Sequence, residues 1–198
     1  LSVLGVKEIY FITVIGEDWR KNIAYDLLNK LDNVKTQYIL TAENRITPAY
    51  CKPIKHGISD VVYEDSRLDF WNVEEMDSNT EELLVRTLKQ VAEKVDIIVV
   101  EEQLKYSIIT DKVREVICQL AAEGKTVIVD SRLNPHLYSN CIIKPNEQEL
   151  RLMASKLGLD IVGEDTEAIA KKVSSKINSD LVVTLGDQGS MWIAKDHI

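Results

Sequence analysis

The sequence predicts an α/β fold with a doubly wound, mostly parallel sheet, helices on both of its faces and a small projecting β lid. Short apolar runs rich in β-branched residues alternate along the chain with segments of helical periodicity, which is typical of parallel βαβ units. Between residues 41 and 72 the pattern changes to short alternating strands with turns, at 47–57 and 61–64. We therefore expect a core of residues 1–40 and 73–198, with a lid of 41–72 inserted in it.

Six strands and five helices are predicted in the core. The strand candidates are the apolar runs at 8–16, 36–41, 96–100, 126–130, 141–144 and 181–185. The helix candidates are the periodic segments at 20–31, 79–94, 111–123, 147–157 and 166–177. Ser78 and Glu81 have capping-box spacing at the second helix, and Gly124 and Gly158 are placed to end the third and fourth.

The composition is typical of a globular domain and argues against two classes of binding partner. Of 198 residues, 45% are hydrophobic and 28% are charged, and Asp plus Glu (32) exceed Lys plus Arg (24), which gives a net charge of −8. An acidic chain of this kind predicts no binding of nucleic acid or of an anionic membrane surface. The longest apolar runs are also too short to cross a bilayer.

The cysteines indicate a reducing compartment. Cys51, Cys118 and Cys141 lie far apart and lack the CxxC or Cys/His spacing of a zinc site. Their odd number also argues against a disulfide framework. We therefore predict a cytoplasmic protein.

Polar residues follow the strands at the edge where an open parallel sheet binds its ligands. Glu101, Asp130, Lys144 and Gly186 each come directly after an apolar run. Any chain that leaves a sheet becomes polar, so each single turn also has a plain structural explanation. A ligand site at this edge is the alternative.

The most informative of these turns is 144–149, Lys-Pro-Asn-Glu-Gln-Glu. Pro145 cannot donate a ladder hydrogen bond, so the strand must end there and a helix must begin abruptly. Asn146 and Glu149 have the spacing of a capping box, worth about 1 kcal/mol. Alternatively, Lys144 contributes a positive charge while Asn146 and Glu149 offer oxygen ligands to a hydrated magnesium ion beside phosphates. The spacing favours the cap, and both roles can coexist.

The turn at 184–189 contains two glycines three residues apart, directly after a buried strand. Gly186 and Gly189 allow tight turns and a close approach of the backbone to a flat or anionic ligand. A plain hairpin turn before 190–195 is an equally good interpretation.

In their order along the chain, these segments resemble those of the ribokinase-like (PfkB) sugar kinases, particularly the kinase half of ADP-heptose synthesis proteins. The segment 144–150 matches the family's Lys-Pro-Asn-x-x-Glu-Leu, and 184–189 matches its Thr-x-Gly-x-x-Gly. The segments 5–18 and 124–132 are similar to its Gly-x-Asp turn and to its strand that ends in Asp.

The resemblance extends to the lid. Arg45 followed by Lys52 resembles the start of the family's lid strands, and Arg67 with Asp69 resembles their exit. These four residues are therefore implied to belong to a lid that closes over the sugar. A homodimer formed through the lid is also implied.

The resemblance implies phosphoryl transfer from magnesium ATP to a hydroxyl group of a sugar or sugar phosphate. The residues implied near the nucleotide and its phosphates are Lys144, Asn146, Glu149, Thr184, Gly186 and Gly189. Asn146 and Glu149 are also implied near the metal. Such chemistry rests mostly on positioning and electrostatics, which suits an edge made of turns.

The chain also departs from the family pattern. The family's first βαβ unit and its Gly-Ala-Gly-Asp motif, which supplies the catalytic base, have no counterpart in the sequence, so no base is assigned. Residues 101–106 replace the usual Asp-Tyr-Gly-Lys-Gly turn. We therefore expect an internal fragment of a kinase that is inactive by itself.

Two other hypotheses stay open. One is a naturally shortened, non-catalytic relative that binds nucleotide or associates with itself through the lid. The other is an unrelated nucleotide-binding α/β domain, which a structure without lid strands would favour.

Overall fold

A computed structural model describes residues 1–57 and 61–195 and divides the chain into two compact units, Leu1–Leu88 and Lys89–Ile198. The boundary lies inside helix α2 (Ser78–Ala92). Every helix in the described part of the chain is too short or too polar to span a membrane.

The first unit begins with four short strands around one helix. Its elements are β1 (Ile9–Tyr10), β2 (Thr13–Gly16), α1 (Trp19–Leu28), β3 (Val34–Lys35) and β4 (Ile39–Ala42). β1 pairs in parallel with β3, and β2 pairs in parallel with β4. The single strand predicted at 8–16 is therefore wrong. The segment forms two strands, β1 and β2, because the segment that pairs with it turns between β3 and β4. In this turn the N–H of Ile39 donates to the carbonyl of Thr36.

Short antiparallel strands follow, as predicted for 47–57 and 61–64. They are β5 (Ala49–Cys51), β6 (Ile54–His56), β7 (Val62–Glu64) and β8 (Leu68–Phe70). β5 pairs with β8, and β6 pairs with β7. Every residue of β6 and β7 is exposed.

The second unit contains a five-stranded sheet. Its elements are β9 (Ile97–Glu102), α3 (Asp111–Ala122), β10 (Thr126–Ser131), β11 (Ile142–Ile143), α4 (Glu147–Lys156), α5 (Thr166–Ile177), β12 (Asp180–Thr184) and β13 (Ser190–Ile193). The strand order is β13-β12-β11-β10-β9, and only β13 runs antiparallel to its neighbour. This mostly parallel sheet with its helices confirms the predicted α/β fold class.

The core of the second unit lies between the sheet and its helices. Residues with no exposed surface include Val129, Ile143, Leu150, Met153, Ile169, Val173, Leu181 and Val183. The helix ends agree with the sequence at Gly124 and Gly158, which have φ angles of 98° and 69°. Both glycines adopt the left-handed conformation that ends helices.

Two details of the prediction need correction. Ser78 is the first residue of α2 and does not cap it, because the carboxylate of Asp77 accepts from the N–H of Thr80 over 2.9 Å. The strand predicted at 96–100 continues through Glu101 and Glu102. Charged residues suggested a turn there, but neighbouring donors satisfy the carboxylate of Glu102 and allow its burial.

Candidate nucleotide site

The turn between β11 and α4 forms a complete capping box. Oδ1 of Asn146 accepts from the N–H of Glu149 over 2.9 Å, and Oε2 of Glu149 accepts from the N–H of Asn146 over 2.8 Å. Both side chains therefore satisfy backbone donors that the first turn of a helix leaves without partners. The structure confirms the capping interpretation of this spacing.

The turn between β12 and β13 is a hairpin with an open surface. The N–H of Leu185 donates to the carbonyl of Gly189 over 2.8 Å, and the intervening residues Gly186–Gln188 form one 3-10 turn. Gly186 and Gly189 have φ angles of 63° and 90°. No atom lies within 4 Å of the position that a β-carbon would take at either glycine. Both backbone conformations therefore favour glycine, and the space beside the two residues is free.

A backbone hydrogen bond joins these two turns. The N–H of Thr184 donates to the carbonyl of Pro145 over 2.9 Å, and Asn146 and Thr184 form a parallel β-bridge. Pro145 lacks an N–H but keeps its carbonyl, so it can accept this bond at the end of a strand. The six residues predicted to bind nucleotide thus lie on two adjoining turns at the carboxyl ends of β11 and β12.

Lys144 is held by an acidic residue on the neighbouring strand. Its Nζ lies 2.8 Å from Oδ2 of Asp130, and its N–H donates to the carbonyl of Val129 over 2.9 Å. The side chain of Lys144 remains 42% exposed and that of Asp130 24%. The ammonium group is therefore accessible but fixed in place. Asp130 was not predicted as a site residue, although its position after a buried strand was a usable signal.

The oxygen atoms at this edge suit a largely hydrated metal ion. Among the described residues, no three His, Cys, Asp or Glu side chains cluster into a metal site. Magnesium usually keeps several waters and takes one or two carboxylates together with phosphates. The cap engages Oε2 of Glu149, so Oε1 is the oxygen that this residue can offer. The chemistry of Glu149, with Asn146 beside it, therefore fits an ion that takes its remaining ligands from water or phosphate.

A buried carboxylate orders the neighbouring strand ends. Glu102 is only 1% exposed. Its carboxylate accepts from Ser131 Oγ (2.6 Å), Arg114 Nη2 (2.8 Å), Tyr138 OH (2.9 Å) and Asn134 Nδ2 (3.0 Å). Ser131 directly follows Asp130, so this cluster fixes the end of β10. The sequence did not reveal the cluster, because its members are up to 36 residues apart.

Burial and neighbouring charges shift the pKa values of Arg114 and Tyr138 in this cluster. Burial by itself would lower the pKa of Arg114, but the adjacent carboxylates of Glu102 and Asp111 raise it. Burial raises the pKa of Tyr138, and the charge of Glu102 and its hydrogen bond with the phenol raise it further. The guanidinium of Arg114 and the phenol of Tyr138 therefore both stay protonated and keep donating to Glu102.

The predicted lid residues belong to the first unit. Lys52 Nζ lies 3.0 Å from Glu64, and Arg67 binds both oxygens of Asp69 at 2.6 and 2.7 Å. Arg45 is only 4% exposed and donates through Nη1 to the carbonyl of Glu74 over 3.2 Å. Burial lowers its pKa, which Glu75 and Asp77 partly offset. Arg45 is therefore buried, whereas the other three predicted lid residues form exposed ion pairs on or beside the short strands.

Thr47, in the predicted lid segment, is hydrogen-bonded to the turn before α1. Oδ2 of Asp18 accepts from the N–H of Thr47 over 2.8 Å and pairs with Arg20 at 2.7 Å. Arg20 Nε donates to the carbonyl of Thr47 over 2.9 Å. Burial opposes ionisation of Asp18, but the hydrogen bonds from Thr47, Arg20 and Lys21 outweigh it and hold its pKa below the usual range.

The chain matches one known protein family over almost its whole length. The family described as pfkB family carbohydrate kinase matches residues 1–197. The chain belongs to this family. The PfkB pattern predicted from 144–150 and 184–189 is therefore confirmed at the level of the family. No curated protein matches the sequence significantly.

Solved structures show where this PfkB chain fits in the fold. The structure of Sa239 is 21% identical with a TM-score of 0.67, and the match covers 95% of this chain and 59% of Sa239. Ribokinase from Thermotoga maritima is 19% identical (TM-score 0.55, 95% and 57% covered). Fructokinase from Xylella fastidiosa with bound ATP is 16% identical (TM-score 0.65, 98% and 60% covered). The PfkB chain thus has the ribokinase-like fold and spans between 57% and 60% of these three proteins.

Proposed function

We propose that the protein to which this chain belongs transfers a phosphoryl group from magnesium ATP to a sugar or sugar-phosphate hydroxyl. The observation that carries the proposal is the hydrogen bond between Thr184 and Pro145. It brings the glycine hairpin and the capped start of α4 together at one sheet edge. Membership of a carbohydrate kinase family supports the same chemistry, and the similar fructokinase from Xylella fastidiosa has bound ATP.

Each turn contributes differently to nucleotide binding in this proposal. The free space over Gly186 and Gly189 accepts a flat or anionic group against the backbone. The ammonium of Lys144, oriented by Asp130, faces the phosphates. Asn146 and Glu149 hold magnesium, which supplies charge neutralisation for phosphoryl transfer.

We infer that residues 1–198 by themselves do not turn over ATP. The chain spans 57% of a ribokinase and 60% of a fructokinase, and no residue at the described sheet edge is assigned as the base for the sugar hydroxyl. Sugar-dependent ATP hydrolysis or phosphorylation by this chain would contradict the inference. A heptose phosphate is the acceptor to test first, on the resemblance to ADP-heptose synthesis proteins, and the cytoplasm is the compartment we propose.

Nucleotide binding to the isolated chain tests the site. In calorimetric titrations with ATP, magnesium should strengthen binding to the wild type. Glu149→Gln keeps an oxygen that can accept from Asn146 but removes the negative charge. We expect this variant to retain its stability and to lose most of the magnesium dependence.

A cap variant and a matched control separate stability from binding. Asn146→Ala should cost about 1 kcal/mol of unfolding free energy and weaken ATP binding about tenfold. Thr110 caps α3 through its hydroxyl, which accepts from the N–H of Val113. Thr110→Ala should cost a similar free energy and leave ATP affinity unchanged. Equal losses of affinity in both variants, or no ATP binding by the wild type, would contradict the proposed site.

Exposed apolar side chains on the lid strands favour a second role, self-association. Ile54, Val62 and Tyr63 are 58%, 56% and 60% exposed on β6 and β7. Short, apolar strand pairs of this kind are suited to pairing with a second copy. Light scattering should show a dimer that Val62→Glu dissociates. Val162→Glu, at a residue 91% exposed outside the lid, is the control and should leave the dimer intact.

A further inference from the structure

Two of the three cysteines lie together in the second unit. Cys118 is on α3, and Cys141 directly precedes β11. Cys118 is half-buried, whereas Cys141 is only 3% exposed. Cys51 lies on β5 and is also half-buried. The pair therefore combines an accessible thiol with a buried one.

Both sulfur atoms lie against the backbone of Ser139. The N–H of Ser139 donates to Sγ of Cys118 over 3.4 Å. Sγ of Cys141 lies 3.2 Å from the carbonyl oxygen of the same residue. Both sulfurs therefore contact the backbone of the same residue.

These contacts give the two thiols different acidities. The neighbouring Cys141 side chain, the Ser139 amide and the nearby Arg114 lower the pKa of Cys118, although burial opposes this. The neighbouring Cys118 side chain, together with burial, raises the pKa of Cys141. Cys118 is therefore both the more acidic and the more accessible of the two thiols. Thiolates are the nucleophiles in thiol–disulfide exchange.

We propose that Cys118 and Cys141 form a reversible redox site, in which Cys118 reacts with a small-molecule disulfide and Cys141 resolves the product into an internal disulfide. In the first step, the Cys118 thiolate attacks one sulfur of the small disulfide and releases one small thiolate. In the second, Cys141 gives up its proton and attacks the Cys118 sulfur. The second small thiolate leaves and takes that proton. The two cysteines lose two electrons, which the small disulfide gains.

The cross-link would join α3 to the residue that leads into β11, the strand that Lys144 directly follows. Disulfides in a reducing compartment are usually transient and redox-sensing. The reaction depends only on the second unit and is independent of the proposed kinase chemistry.

Oxidised glutathione is the probe, with thiol trapping and peptide mass mapping of the wild-type chain. We expect a peptide pair linked through Cys118 and Cys141, with the loss of two hydrogen atoms and full reversal by a dithiol reductant. This measurement needs no variant, so a folding defect cannot obscure it. Accumulation of a glutathione adduct on Cys118 without the cross-link would overturn the proposal.

Three single variants assign the roles. Cys141→Ser should trap a stable glutathione adduct on Cys118, since no resolving thiol remains. Cys118→Ser should abolish the cross-link and leave Cys141 unmodified. Cys51→Ser is the matched control and should react like the wild type. Faster modification of Cys51 than of Cys118 in the wild type would overturn the assignment of Cys118 as the reactive thiol.

Discussion

The N–H of Thr184 donates to the carbonyl oxygen of Pro145 over 2.9 Å and continues the pairing with β12 beyond the last residue of β11. This bond fixes the glycine hairpin relative to the capped start of α4. Taken alone, each turn is explained by its structural role, as a helix cap or as a hairpin. Neither turn by itself therefore indicates a ligand site. Their contact is what makes the sheet edge a candidate nucleotide site.

Gly189 should be sensitive to substitution in both stability and binding. Its φ of 90° and ψ of −132° are rarely adopted by residues with a side chain. Gly189→Ala should therefore cost about 1–3 kcal/mol of unfolding free energy, measured with urea. It should also weaken ATP binding, because the new methyl group occupies the free space over the hairpin.

Gly124 is the matched control for this prediction. Its φ is 98°, and no atom lies within 4 Å of its β-carbon position. It precedes β10, so it lies at the opposite edge of the sheet from the hairpin. Gly124→Ala should lower stability without changing ATP affinity. Equal effects of both substitutions on affinity would argue against nucleotide contact at Gly189.

Removing Arg114 should destabilise the second unit strongly. The residue is 6% exposed and donates to the buried carboxylate of Glu102 over 2.8 Å. Arg114→Met leaves that charge without its cationic partner, which costs about 3–5 kcal/mol. Urea unfolding measures the loss. Lys171→Met removes an ion pair to Glu167 on the surface and should change stability little.

Asp18 should contribute a pH-dependent part of the stability of the first unit. Its pKa in the folded chain lies below that of the unfolded chain, so its contribution is complete above the unfolded value, about 4. The contribution is lost as the pH falls through the folded value. Asp18→Asn should therefore be less stable than the wild type at pH 7, and the two should converge in acid. A constant difference in urea unfolding at all pH values would contradict this.

Gly16 should tolerate no side chain. A β-carbon there would lie 2.1 Å from the carbonyl oxygen of Arg45. Gly16→Ala should displace the segment that Asp18 holds at Thr47 and cost about 1–3 kcal/mol. Hydrogen exchange at the Thr47 amide should accelerate. Gly5→Ala, where no atom lies within 4 Å, should leave that amide protected.

Local sequence patterns predicted the five helices, most of the strands and the capping box. Such features depend on neighbouring residues: Pro145 must end a strand, Asn146 and Glu149 are three apart, and Gly124 adopts a positive φ after a helix. These constraints act within a few residues of chain. For the same reason, the family pattern at 144–150 was readable without a structure.

Contacts between distant segments could be found only in the folded chain. The ion pair of Lys144 with Asp130, the four donors around Glu102 and the contacts of Cys118 and Cys141 with Ser139 could not be read from local patterns. No local pattern encodes such contacts, since strand order and register decide which side chains meet. The two charged residues that end β9 illustrate this, because burial of Glu102 is possible only where Arg114, Ser131, Asn134 and Tyr138 converge on it.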